Sequence, residues 1–229
     1  NDLPDTNPGD GVAAAITGEV TLRASVMESN ASAGDDIIVL GAGVYQLSIG
    51  GTFEDKAARG DLDVTGNLII RGVSAGATII DAGLLDRVFH VHPGVALTLE
   101  NLTIRNGFAF DGAGIFNLGT LNLVNVNVIR NVAGNQGGGV FNAGTLNARN
   151  SSISENISGS RGGAINNTGS VSLLNTTLSS NFAASRGGGL FNENAATALL
   201  QSVTIAVNQS GSRGGGFNSE SVTGTTISN

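Results

Sequence analysis

Gly114-Ile115-Phe116-Asn117 recurs as Gly139-Val140-Phe141-Asn142, as Ala164-Ile165-Asn166-Asn167 and as Gly189-Leu190-Phe191-Asn192. The closing asparagines, Asn117, Asn142, Asn167 and Asn192, are 25 residues apart each time, and a shortened copy, Gly216-Phe217-Asn218, follows after 26. A second series, Asn106, Asn131, Asn156 and Asn181, keeps the same period, with Asn208 a further 27 on. Between the two series lie short alternating segments such as Thr120-Leu121-Asn122-Leu123 and Ser170-Val171-Ser172-Leu173. Two-residue alternation bounded by Gly and Asn reads as strands and tight turns. A fixed period in this range is the mark of a solenoid. The repeat is too short for a helix pair but suits three strands and three turns. The expected fold is therefore an all-β, right-handed parallel β-helix of roughly eight coils, with about 25 residues per coil. In such a stack identical residues form columns, and an Asn column hydrogen-bonds along its own length. Both Asn series are read as structural ladders; Asn also tolerates the left-handed conformation of a sharp corner.

Outward from the repeat the pattern loosens. Asp36–Leu40, Asn67–Gly72, Thr78–Asp81, Val88–His92 and Leu97–Leu99 read as strands of earlier, less regular coils. Only residues 21–30 carry a helical pattern, with Leu22 and Val26 four apart and Met27 beside them. A lone helix at the front of a solenoid is a cap over the first coil's open edge. The expected organisation is an N-terminal segment and capping helix over residues 1–34, then a β-helix over 35–229, most regular over 105–229.

Composition excludes several classes. The chain has 229 residues with 35 Gly, 3 Pro, no Cys and no Trp, and a net charge of −7. The absence of Cys removes disulfides, thiolate metal sites and cysteine nucleophiles. No apolar run is long enough to span a membrane. The acidic balance disfavours nucleic acid as a partner. Residues 1–99 hold 13 acidic and 5 basic side chains, whereas residues 100–229 hold 5 and 6.

Val20-Thr21-Leu22-Arg23-Ala24-Ser25, preceded by Asp5-Thr6-Asn7-Pro8-Gly9-Asp10-Gly11, resembles the CSLREA-type domain of bacterial surface proteins. Gly162-Gly163-Ala164-Ile165 is similar to the Gly-Gly-Ala-Ile units of chlamydial polymorphic outer membrane proteins. The CSLREA family carries two cysteines where this chain has Val20 and Ala13, which implies a disulfide replaced by packing. The resemblance implies an exported, extracellular or cell-surface β-helix and no defined reaction. On that basis the expected function is a structural or adhesive protein of a bacterial surface or matrix, or a head-to-tail filament subunit. Its partners are then itself or cell-surface glycans. The alternatives are a carbohydrate-active enzyme, either polysaccharide lyase or glycoside hydrolase, and a glycan-binding module.

Candidate sites follow from residue type and spacing. Asp5, Asn7 and Asp10 offer oxygen ligands at loop-like spacing and form a calcium candidate that lacks the closing Glu; an Asx-turn loop is the competing reading. No other cofactor is expected. Asp61 with Asp63, and His90 with His92, share strand parity and have Arg87 nearby; the favoured reading is ordinary solvated or turn residues rather than catalysts. The column Asp111, Gln136, Arg161, Arg186, Arg213 would line guanidinium groups along one ridge, which suits an anionic glycan or a partner's carboxylates. In the repeat Ile115, Val140, Ile165 and Leu190 are always aliphatic and face inward. Phe116, Phe141 and Phe191 then face outward, as an exposed contact stripe or as a stack between coils.

Overall fold

The computed structural model describes residues 1–51, 54–220 and 224–228. Among the described residues there is one helix, Leu22–Ala31, and it forms where the sequence predicts it. Thr21 caps it by accepting from the Ala24 N–H. All remaining regular structure is strand, arranged as four parallel stacks of eight, seven, seven and five strands. The chain thus winds through about seven coils, and each strand inside a stack pairs with its counterparts one coil before and one coil after.

Register explains the repeat. Ile115, Val140, Ile165, Leu190 and Phe217 pair in succession along one stack. The first four are fully buried. Leu97, Leu121, Leu146 and Val171 form a second inward column, and Ile104, Val128, Ile153 and Leu178 a third. Each coil places an aliphatic side chain on that of the coil before, so the core is continuous along the axis. Among the described residues no helix is long and apolar enough to cross a membrane.

The Asn ladders are confirmed, with one correction. Asn117, Asn142, Asn167 and Asn192 are fully buried. Each of the first three donates its Nδ2 to the next one's Oδ1, at 2.6, 2.7 and 2.6 Å. Asn131, Asn156 and Asn181 form a second ladder that continues to Asn208 at 2.9–3.0 Å. Asn106 does not belong to it. Thr103 pairs with Asn127 and Arg105 with Ile129, so this coil is one residue shorter and Gly107 opposes Asn131. Asn106 instead donates to Asp81.

The corners also differ from expectation. The buried ladder asparagines are not the left-handed residues. That conformation falls at the positions preceding one ladder, Arg130, Glu155 and Ser180, and at a separate column, Asn101, Asn125, Asn150 and Asn175. A glycine corner follows each residue of the Arg column. Gly162 has φ +65°, and a Cβ there would lie 2.3 Å from the Ile165 carbonyl oxygen. Val20 is 74% exposed, so no packing stands where the resemblance implied a replaced disulfide.

Candidate functional site

The outward column of Phe116 begins further forward than the repeat suggested. Asp63 pairs with His90, His90 with Phe116, and Phe116 with Phe141. His92, two residues on, shares the face of His90. The four polar residues that the sequence singled out as two separate pairs, Asp61 with Asp63 and His90 with His92, are therefore gathered in one place. The two acids are not solvated: Asp63 is fully buried and Asp61 is 6% exposed, while the two imidazoles are half-buried.

The helix holds this strand from behind. Arg23, fully buried, pairs with Asp2 at 2.9 Å. It also donates to the carbonyls of Ala57, Gly60 and Asp61. Asn30 donates to the Asp63 carbonyl and accepts from the Thr65 N–H. Both ends of strand Leu62–Val64 are thus anchored to the helix. The Asp63 side chain is fixed as well. Its Oδ2 accepts from the Ala57 N–H at 3.0 Å, and its Oδ1 lies 3.2 Å from both His90 Nδ1 and His92 Nε2. The two imidazole rings are 4.0 Å apart.

Asp61 sits beside this group, with its Oδ2 2.7 Å from Arg87 Nε. Burial, reinforced by the neighbouring Asp63, pushes the Asp61 carboxyl up to about 8, against the opposing pull of Arg87. Burial likewise raises Asp86 above the usual carboxylate range. Arg87 lies over the Phe116 ring at 5.1 Å. Asp61, Asp86, Arg87, His90 and Phe116 line a cleft of about 540 Å³ whose lining also includes Phe108 and Phe110. Those rings are 52% and 72% exposed. Glu54, Asp55 and Asp111 add further acidity at its rim. The cleft therefore joins an apolar, aromatic wall to a floor of acids served by one arginine.

Several expectations are corrected here. Phe116, Phe141 and Phe191 do face outward from their strands, yet they form no exposed stripe. Phe116 and Phe141 stack at 4.9 Å and are half-buried, and Phe191 is fully buried beneath Arg161 at 5.0 Å. The exposed aromatics stand on a different stack, where Phe108 pairs with Val132, Val132 with Ile157 and Ile157 with Phe182. The alternation Phe108-Ala109-Phe110 was the available signal for them. Arg161, Arg186 and Arg213 do stack in register. Arg161 lies 3.5 Å from Glu193 and Arg186 pairs with Glu220, so the ridge is partly neutralised. In the front loop Asp5 accepts from the Asn7 N–H and Asp10 from the Val12 N–H, the geometry of Asx turns. Asn7 turns its amide nitrogen, not its oxygen, toward Asp10. Residues missed in the sequence are Asp2, Arg23, Asp55 and Asp86, which the fold brings in from distant or irregular segments.

No family model matches the chain, and no curated protein matches it. Among solved structures it is similar to the pectin methylesterase of Aspergillus niger in deglycosylated form. The likeness covers 99% of this chain and 86% of that one at 14% identity, with a TM-score of 0.54. It shows a shared β-helix fold.

Proposed function

We propose that this chain is a carbohydrate-active protein that takes a neutral glycan in the cleft between Asp61, Arg87 and Phe110. One observation carries the reading: two exposed phenyl rings and a set of buried polar groups line a single cleft. Apolar walls with a few convergent polar groups are the usual form of a ligand site. A sugar ring presents both a C–H face and hydroxyls, so it matches that combination. The acid surplus argues for a neutral strand, because a polyanion would meet repulsion from Glu54, Asp55 and Asp111 at the rim. The similar solved chain, a pectin methylesterase, is consistent with a carbohydrate ligand on this fold.

The regular coils behind the cleft carry the second reading, that of a rigid structural or adhesive element. Its support is the pair of unbroken, buried amide ladders. In this combined view the back half is a stalk and the front half is the recognition end, at work where glycans are found, outside a cell or on its surface. The resemblance to exported surface proteins fits that setting.

Affinity electrophoresis against a panel of neutral and anionic polysaccharides tests the proposal, with reducing-end release measured in parallel. Wild-type protein is expected to be retarded by at least one neutral glycan, and Phe110→Ala to lose about tenfold or more in affinity. Retardation by anionic glycans alone, or equal binding by Phe110→Ala, would overturn it. Product release by wild type but not by Asp61→Asn would make the site catalytic.

A further inference from the structure

We propose that Asp55, Asp63, His90 and His92 form a binding site for one divalent transition-metal ion, with zinc the best fit. The proposal stands on these four side chains and does not depend on the glycan reading.

The geometry is the first argument. One ligand atom from each residue lies within 4.8 Å of all the others. Asp63 Oδ1 is 3.2 Å from each of the two ring nitrogens, and Asp55 Oδ1 is 3.8 and 3.9 Å from the same two. Bonds of about 2.0–2.2 Å to a tetrahedral zinc place ligand atoms roughly 3.3–3.5 Å apart. Two edges of that tetrahedron, from Asp63 to each ring nitrogen, are therefore already near that length, and the exposed Asp55 stands a few tenths of an ångström beyond it from the same two nitrogens. Two imidazoles with two carboxylates also form a donor set suited to zinc or a neighbouring first-row ion rather than calcium.

Preorganisation is the second argument. Asp63 is fully buried and its other oxygen is committed to the Ala57 N–H, so its free oxygen can only face the two rings. The strand that carries it is tied to the helix through Arg23 and Asn30. Both histidines turn a nitrogen toward the same carboxylate oxygen, a convergence that a structural hydrogen bond to a single ring does not require. Charge is the third argument. Asp55 and Asp63 bring two carboxylates to the two imidazoles, a set that matches a divalent cation. His90 Nε2 is buried without a hydrogen-bond partner, whereas tightly held metals usually have a second-shell acceptor at that atom. That missing contact should weaken binding about 10- to 100-fold relative to a site with a complete outer shell.

The test uses the full, untagged chain after dialysis against EDTA. Zinc chloride is titrated calorimetrically, and cobalt(II) is added separately to read its visible ligand-field bands. One ion per chain and an intense, tetrahedral-type cobalt spectrum are expected. Asp55→Asn, on an exposed loop, and His92→Ala should each weaken binding about tenfold or more. Asp10→Asn, in the front loop, should bind as wild type does. Circular dichroism checks that each variant is folded. No binding by wild type, or binding unchanged in His92→Ala, overturns the proposal. Because no glycan is present, its failure leaves the glycan reading untouched. Loss of glycan binding with zinc binding intact would be the reverse case.

Discussion

Asn156 uses every polar atom of its side chain on neighbouring coils. Its Oδ1 accepts from the N–H and the Nδ2 of Asn131, and its Nδ2 donates to Val128 O and Asn181 Oδ1. Replacement by Ala strands several buried groups at once. We expect Asn156→Ala to cost about 2–4 kcal/mol, which lowers the melting temperature by roughly 5–10 °C. Asn147, whose amide bonds Asn122 on the exposed face, should tolerate Ala within about 0.5 kcal/mol. Differential scanning calorimetry of both variants checks the contrast. Asp81 supplies a pH test. Burial alone would raise its carboxyl, but the Gly83 N–H, Asn106 and Arg105 outweigh burial and hold it below the ordinary value of 3.8. Its folded-state pKa is depressed, so its stabilisation is present above the unfolded pKa and lost as pH falls through the folded one. Asp81→Asn should therefore lower the melting temperature at neutral pH, with the gap closing below about pH 4. A gap that widens in acid would contradict this assignment.

At the scale of elements, periodicity made the strands legible because each coil repeats the same inward residues. Val140 and Ile165 were placed correctly from alternation alone, and they are fully buried. Val140→Asp should unfold the protein at room temperature or lower its melting temperature by more than any surface change, since it buries an unpaired charge. Arg186→Ser removes a half-buried ion pair with Glu220 and should cost under about 1 kcal/mol. Equal losses in thermal melts would mean that the inside and outside of the strand are reversed. The helix was legible as a cap but not as a clamp. Arg23 lies deep beneath it, and its partners Asp2, Ala57 and Gly60 come from segments with no periodic signal. Arg23→Met should cost about 3–5 kcal/mol by leaving Asp2 buried without its cation. The Asn106 misreading has the same root: one coil is a residue shorter, and sequence spacing alone cannot reveal where the deletion falls.

Across the whole molecule the division of charge read from the sequence has a structural meaning. The acidic front half supplies nearly all the carboxylates around the cleft, while the back half pairs Arg161 and Arg186 with glutamates along one ridge. The candidate site was legible only as two separate pairs, Asp61 with Asp63 and His90 with His92, read as ordinary polar residues. Their meeting depends on the longer front coils, in which Asp63 pairs with His90. The exposed rings were hidden for a different reason: the repeat drew attention to Phe116 and Phe141, whereas Phe108 and Phe110 stand outside the repeating motif. A shallower groove of about 380 Å³ crosses the eight-stranded sheet over Asn122, Asn147 and Ser172. It has no buried carboxylate and no aromatic ring among its lining residues. The most direct measurement is a crystal structure of the protein with the neutral oligosaccharide that retards it most strongly. The account predicts a sugar ring lying on Phe108 or Phe110 with a hydroxyl in hydrogen-bond reach of Arg87 or Asp61. A sugar bound in the shallow groove, with the front cleft vacant, would contradict it.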